Sequence, residues 1–153
     1  MAAFSITTII AIAAFLVLLL SMAMTAGTQH SISALADKWR WLLLAALWSQ
    51  ALLLPQMMEM TPSGWQWMPF LGIFGIAICG GATIFEKTDK RVHTIAAVVA
   101  FTFLTGWVML INSRCLMPLV VCAMAGRERP IWRFEVGLVA SVYTLMILYS
   151  SNT

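Results

Sequence analysis

Uncharged, mostly apolar residues run for the full thickness of a bilayer in this sequence. Phe4 to Met24 contains no charged residue over 21 positions, and an α-helix of that length covers roughly 31 Å. The hydrocarbon core of a membrane is about 30 Å thick, so this run is long enough to span it. Charged residues make up 10% of the chain, whereas soluble domains carry roughly 25%. The sequence therefore predicts a membrane protein.

The apolar runs also indicate the fold class. Only helices and closed barrels pair all of their backbone polar groups inside a bilayer, and these runs lack the two-residue alternation of barrel strands. We predict an all-α fold, a polytopic transmembrane helix bundle forming one integral membrane domain over residues 1–153. The predicted spans cover residues 4–24, 39–58, 68–85, 92–111, 113–125 and 131–149.

The fifth of these runs is short. Ser113 to Ala125 has 13 residues, which cover only about 20 Å as a helix, and it contains Pro118. Two arrangements remain open: the run crosses a locally thinned bilayer, or it forms a re-entrant hairpin. The chain then has six spans, or five spans plus the hairpin.

The distribution of basic residues favours six spans. With the N-terminus outside, six crossings leave Arg114 outside and eight bases in the cytoplasm, whereas a hairpin gives five inside and four outside. Because cytoplasmic connections are enriched in Lys and Arg, we expect six crossings with both termini outside. We expect a multi-pass protein of the cell membrane, in a bacterial inner membrane. The eight bases are Lys38, Arg40, Lys87, Lys90, Arg91, Arg127, Arg129 and Arg133.

The first run has a second interpretation. Its end, SMAMTAG, resembles a signal-peptidase site, but no basic residue precedes the run, whereas a secretory signal begins with a positively charged segment. We expect an uncleaved first span, with cleavage as the alternative.

Small residues line one side of the third span. Gly72, Gly75, Cys79 and Ala82 recur at intervals of three and four residues, which places them on one helical face. Small residues let two helices approach closely in a membrane. We predict that these four residues form a helix-packing face.

The stretch FEKTDKRVH, residues 85–93, gathers the polar side chains that an active or binding site would need. Its bases orient the chain, and Glu86 can pair with Lys90 at i, i+4. Alternatively, Glu86, Asp89 and His93 share one face if the third helix extends into the connection. These groups could then bind a ligand or transfer protons.

Glu135 completes the predicted pocket. It lies near the cytoplasmic end of the last span, and an ionisable residue inside a span is a functional candidate by default. Pairing with Arg133, or with a base of a neighbouring helix, would be a purely structural explanation. His30 and Asp37, in the first cytoplasmic connection, could join the same pocket. The candidate pocket residues are His93, Glu86, Asp89 and Glu135.

Other functional signals are weak. Gln50, near the middle of the second span, is expected to form a hydrogen bond with another helix. The three cysteines form no C-x-x-C motif and are read as buried small residues. No phosphate-binding loop, zinc-protease motif or dinucleotide fingerprint occurs. We therefore predict no metal, no cofactor and no nucleic-acid partner.

The string VHTIAAVVAF resembles a pattern found in six-helix relatives of the CREST group of membrane proteins. His93, Ala97 and Phe101 match its H-x-x-x-A-x-x-x-F spacing. The resemblance implies a helical scaffold and carries over His93 alone, as a pocket residue. Members with ceramidase-like or receptor-like chemistry hold zinc with a histidine triad, serine and aspartate. This chain has two histidines and no H-x-x-x-H, so the resemblance does not extend to zinc hydrolysis.

Three functions remain open at this stage. The first is a small inner-membrane transport, channel or lipid-binding subunit without catalytic activity. Its partners would be membrane lipids, and further copies of the chain or a partner membrane subunit. The second is an intramembrane lipid-modifying enzyme with His93 and Glu135 as acid and base. The third is a membrane-perturbing effector.

Overall fold

The protein is helical throughout the part of the chain that the structure describes. The structure, a computed structural model, describes residues 6–24, 36–82, 90–125 and 130–152. No strand occurs within those ranges, so the predicted all-α fold class is confirmed. The helices are α1 (Ile6–Met24), α2 (Ala36–Ser49), α3 (Leu54–Met60), α4 (Trp67–Ala82), α5 (Lys90–Asn112), α6 (Met117–Met124) and α7 (Pro130–Asn152).

The second predicted span forms a longer and less regular helix than expected. A 3₁₀ turn at Gln50–Leu53 separates α2 from α3. Pro55 then occupies the first turn of α3, where its missing N–H removes no helical hydrogen bond. The change to 3₁₀ geometry thus accommodates a proline in the interior of an apolar stretch.

The chain turns sharply at Asn112. Its backbone is extended, with φ −158° and ψ 99°, and its Oδ1 accepts a hydrogen bond from the backbone N–H of Arg114 at 3.1 Å. This side-chain cap ends α5 and starts the 3₁₀ turn Ser113–Leu116. The short run that follows therefore contains only one regular α-helix, α6.

Helix α6 packs against α7. Gly137 has no side chain, so α7 approaches the backbone at Leu119 closely: a Cβ at position 137 would lie 2.8 Å from the Leu119 Cα. The backbone N–H of Leu119 donates to Ser141 Oγ at 3.2 Å. This N–H lies in the first turn of α6, where helices leave donors without an intrahelical partner. A side chain of α7 thus caps the short helix.

Helices α4 and α5 form an antiparallel pair built on glycine. A Cβ at Gly75 would lie 2.8 Å from the backbone of Ala96 and of Ala100, and one at Gly72 would lie 2.6 Å from the Leu104 side chain. The Cys79 thiol lies 3.7 Å from the carbonyl oxygen of His93. At Gly72, Gly75 and Cys79, the small-residue face of α4 therefore lies against α5 of the same chain.

Large apolar side chains point outward on most helices, as they do in proteins solvated by lipid. Arg40–Met60 and Arg91–Met124 are long and apolar enough to cross a membrane, the latter interrupted at Asn112. Thr8–Val17 and Trp67–Ala82 are shorter apolar helices. Exposed apolar surface on this scale marks contact with a membrane or a partner. Examples are Ile9, Ile10, Phe70, Phe74, Ile95, Val98, Met109, Val121 and Ile147.

Candidate functional site

A cavity of about 90 Å³ lies inside the bundle, where side chains of α1, α2, α4, α5 and α7 and of the first 3₁₀ turn meet. It is partly open, and its lining is predominantly apolar. The lining residues are Phe15, Leu47, Gln50, Leu53, Ile73, Ile76, Cys79, His93, Ala97, Ala100, Phe101, Leu104, Glu135, Leu138, Val139, Val142 and Tyr143.

One face of α5 supplies much of the room. His93, Ala97, Ala100 and Leu104 follow one another at intervals of four, three and four residues, so they share a stripe of the helix. Alanine at the two middle positions leaves space that a larger side chain would occupy. The three residues that carry the CREST-like spacing, His93, Ala97 and Phe101, all line the cavity.

One end of the cavity is polar. His93 lies in the first turn of α5 and Glu135 near the start of α7, and both line the cavity. Cys79, near the end of α4, also lines the cavity, and its thiol lies 3.7 Å from the carbonyl oxygen of His93. A carboxylate, an imidazole and a thiol thus come from three helices to the same end of the bundle.

A buried amide and phenol lie deeper in the cavity. Tyr143 donates its O–H to Gln50 Oε1 at 2.6 Å. The Nε2 of Gln50 donates to the carbonyl oxygens of Ala46 at 3.0 Å and of Ala11 at 3.2 Å. Phe15 of α1 also meets Tyr143 edge to face, with ring centroids 6.1 Å apart. The predicted interhelical hydrogen bond of Gln50 is present, and it joins α7 to the 3₁₀ turn.

The two polar regions are separated by apolar wall. Glu135 and Tyr143 are eight residues apart on α7, a rise of about 12 Å. Leu138, Val139 and Val142 occupy the stretch between them. Because this stretch offers no polar side chains that could hold water, the geometry favours an apolar occupant over a continuous chain of water molecules between the two polar regions.

The predicted pocket is described only in part. His93 and Glu135 line the same cavity. Glu86, Asp89 and His30 lie outside the described residues, and for Asp37 only the backbone of α2 is described. Whether the first three reach the cavity stays a prediction.

The structural alternative for Glu135 was pairing with Arg133 or with a base of a neighbouring helix, and the geometry of α7 bears on Arg133. Arg133 and Glu135 are two residues apart on α7, and residues at that spacing do not face each other on a helix. Glu135 lines the cavity, whereas Arg133 is not among its lining residues. The described part of the chain contains no group of three or more His, Cys, Asp or Glu side chains placed to hold a metal ion.

Several cavity residues were not singled out from the sequence. Cys79 was assigned to the packing face and read as a buried small residue, and Phe15 and Tyr143 were not singled out. Gln50 and Tyr143 are 93 positions apart in the chain, so no local pattern links them. Their polar groups within apolar runs were the only signal available.

Comparisons with protein-family models, with curated proteins and with solved structures find no match for this chain. The resemblance to the CREST group therefore stays a prediction that rests on three residues of α5.

Proposed function

We propose that this chain is a lipid-binding subunit of a bacterial-type inner membrane, without catalytic activity of its own. It crosses the membrane six times with both termini outside, and holds the apolar part of a ligand in the cavity between its helices. The observation that carries this proposal is the cavity itself, an apolar space between several helices with polar groups in two separate parts of its lining. Ligand sites between the helices of bundles have this composition.

The exposed side chains support a membrane location. Trp65 and Trp67 stack with ring centroids 6.1 Å apart, and both are exposed at the start of α4. Trp41, close to the start of α2, is 70% exposed. Tryptophan is enriched at both membrane boundaries. Along Arg40–Met60 the helix rises about 31 Å, which matches the distance between two such boundaries.

The fifth run supports six spans rather than a hairpin that returns to its own side. Leu119 and Cys122 both lie against Gly137 of α7, and Leu119 also bonds to Ser141. Because α6 is anchored along one neighbour in this way, it need not match the full bilayer thickness alone. Local thinning of the bilayer accommodates the remaining mismatch at modest cost.

Photo-crosslinking tests the proposal. The protein would be placed in nanodiscs containing a phospholipid with a diazirine near the end of one acyl chain, and cross-linked residues would be mapped by mass spectrometry. We expect labelling inside the cavity, at Ile76 and Val139, as well as on lipid-facing residues such as Ile95. Ala97→Leu fills the cavity and should lower the interior labelling several-fold. Val98→Leu, on the exposed side of the same turn, should leave it unchanged.

The proposal fails if Ile76 and Val139 remain unlabelled in the wild-type protein, or if Ala97→Leu and Val98→Leu behave alike. Circular dichroism of both variants would show that each retains its helices.

The meeting of His93 and Glu135 at one end of the cavity favours a second candidate, an intramembrane enzyme acting on a lipid. An imidazole and a carboxylate at the cytoplasmic boundary can serve as acid and base. His93→Ala and Glu135→Gln would then change the lipid composition of cells expressing the protein. Unchanged lipid profiles in both variants would contradict the enzyme, and lipid binding would then be the one proposed function that stands.

A further inference from the structure

One nitrogen of the Arg133 guanidinium is shielded from solvent without an acceptor. Arg133 lies in the first turn of α7 and is partly buried. Its Nη1 is buried and has no hydrogen-bond partner in the part of the chain that the structure describes. A guanidinium stays charged in proteins, and a buried charged donor without an acceptor is more costly than a neutral one. An anionic acceptor brought to this position would therefore stabilise the protein.

Arg133 lies on the side of α7 that faces α6. Arg133, Gly137 and Ser141 follow one another at intervals of four residues, so they share one side of the helix. Gly137 lies against Leu119 and Cys122 of α6, and Ser141 bonds to the backbone N–H of Leu119. The two helices thus run antiparallel, with Ser141 beside the start of α6 and Gly137 beside its middle. One turn further along α7, Arg133 lies at the level where α6 ends.

The end of α6 leaves this level open to lipid. The helix has eight residues, Met117–Met124, and rises only about 12 Å. Its outer side is a stripe of exposed apolar side chains, with Met124 at the end 80% exposed. The N-terminus of α7 carries the positive end of its helix dipole, which offsets the negative end of α6 beside it. The charge of Arg133 therefore decides the sign of a ligand that binds here.

A phospholipid supplies both parts of the ligand that these groups require. In the six-span arrangement the start of α7 lies at the cytoplasmic boundary, where lipid phosphates are found. Arginine binds phosphate through two parallel hydrogen bonds, and its long side chain can reach from an apolar surface to the head groups. Acyl chains of the same molecule would cover the exposed side of α6, which a free phosphate ion would leave bare.

We infer that the α6–α7 side of the bundle binds an anionic phospholipid of the cytoplasmic leaflet. Its phosphate is held by the Arg133 guanidinium, and its acyl chains lie along the exposed side of α6. This site is separate from the cavity, since Arg133 is not among the cavity's lining residues. The inference rests on the six-span arrangement of the proposed function, but it does not require a lipid inside the cavity.

Fluorescence quenching by brominated lipids tests the inference. A fluorophore would be attached at Met124→Cys, beside the end of α6, or at Val17→Cys, which is also exposed but lies on α1, a helix without basic residues. Nanodiscs of phosphatidylcholine would contain either phosphatidylglycerol or phosphatidylcholine with brominated acyl chains. The phosphate of phosphatidylcholine is balanced by its own ammonium group, whereas that of phosphatidylglycerol is not. The native cysteines would first be replaced by serine; they are Cys79, Cys115 and Cys122.

The two labelled positions should respond differently. Hydrogen bonds between charged groups are roughly twice as strong as neutral ones. At Met124→Cys we expect brominated phosphatidylglycerol to reach a given quenching at a mole fraction roughly three- to tenfold lower than brominated phosphatidylcholine, the upper figure corresponding to about 1.4 kcal/mol. At Val17→Cys the two lipids should quench about equally.

Substitutions of two bases isolate the contribution of Arg133. Arg133→Gln removes the charge and should reduce the preference at Met124→Cys to that at Val17→Cys. Arg40→Gln is the matched control, because it removes a base from α2 and should leave the preference unchanged. Should Arg133→Gln lose its helical signal in circular dichroism, Arg133→Lys provides the comparison. It keeps the charge without the paired donors, and should retain only part of the preference.

Four results would overturn the inference. The first is equal quenching by the two lipids at Met124→Cys with Arg133 present, and the second is a preference that survives Arg133→Gln. The third is loss of the preference on adding inorganic phosphate but not on adding the same concentration of chloride, which would show a site for the free ion. The fourth is absence of quenching by either lipid, which would show that protein covers α6. Photo-crosslinking at Ile76 and Val139 tests the cavity separately, so the two proposals can fail independently.

Discussion

One added methyl group at Gly75 tests the packing of α4 against α5. A Cβ atom there would lie 2.8 Å from the backbone nitrogen of Ala100 and 2.8 Å from the carbonyl oxygen of Ala96. These are backbone atoms within a helix and cannot move singly, so Gly75→Ala has to push α5 away from α4. Gly81, in the same helix, is the matched control, because a Cβ there meets nothing within 4 Å.

The magnitude follows from two opposing effects. Overpacking a well-packed contact costs about 1–3 kcal/mol, whereas replacing glycine by alanine inside a helix stabilises it by about 1 kcal/mol. The second effect is common to both variants, so their difference isolates the contact with α5. We expect the free energy of unfolding of Gly75→Ala to lie about 1–3 kcal/mol below that of Gly81→Ala.

Unfolding with sodium dodecyl sulfate from mild detergent micelles, followed by circular dichroism, would measure this difference. If the two variants agree within about 0.5 kcal/mol, the usual error of such comparisons, then α5 does not lie against Gly75 as described. Greater stability of Gly75→Ala than of Gly81→Ala would refute the close approach outright.

Two further predictions concern buried polar contacts between helices. Tyr143→Phe leaves the Oε1 of Gln50 without its donor and should lower the free energy of unfolding by about 1–2 kcal/mol. Combined with Gln50→Leu in the same unfolding assay, it should cost less than the sum of the two single changes, and strict additivity would contradict the hydrogen bond. Ser141→Ala removes the acceptor of the Leu119 N–H and should cost about 1 kcal/mol. Thr144→Ala, which loses only a bond to Ala140 of its own helix, should cost less, and an equal cost would show that Ser141 does not cap α6.

The positions of the helices could be predicted because a long apolar run can be recognised from its own residues, without knowledge of the rest of the chain. The predicted spans 92–111 and 131–149 lie within α5 and α7 as observed. The break at Asn112 also has a signal in the sequence, because Asn112, Ser113 and Arg114 are polar.

Local irregularities were harder to predict. The 3₁₀ turn at Gln50–Leu53 is an adjustment of several residues that places Pro55 in a first turn, and neither its location nor its length follows from proline alone. For the run after Asn112, no sequence pattern indicates that a serine of α7 caps α6.

The cavity could not be predicted as a whole because its walls come from helices far apart in the sequence. His93 and Glu135 stood out because charged or ionisable groups are rare in apolar spans. Phe15, Ala97 and Val139 are ordinary apolar residues, and only the arrangement of the helices shows that they surround a space. A small residue such as Ala97 leaves space beside its helix, but the sequence does not show whether a side chain of a neighbouring helix fills that space.

Labelling of single cysteines in intact cells tests most directly whether the chain crosses the membrane repeatedly with its basic connections on one side. Cys79, Cys115 and Cys122 would first be replaced by serine, and one cysteine would then be introduced as Ser63→Cys, Arg114→Cys or Thr88→Cys. With a membrane-impermeant maleimide, we expect Ser63→Cys and Arg114→Cys to label from outside, and Thr88→Cys to label only after permeabilisation. Labelling of Thr88→Cys in intact cells would contradict the threading and the placement of the polar end of the cavity.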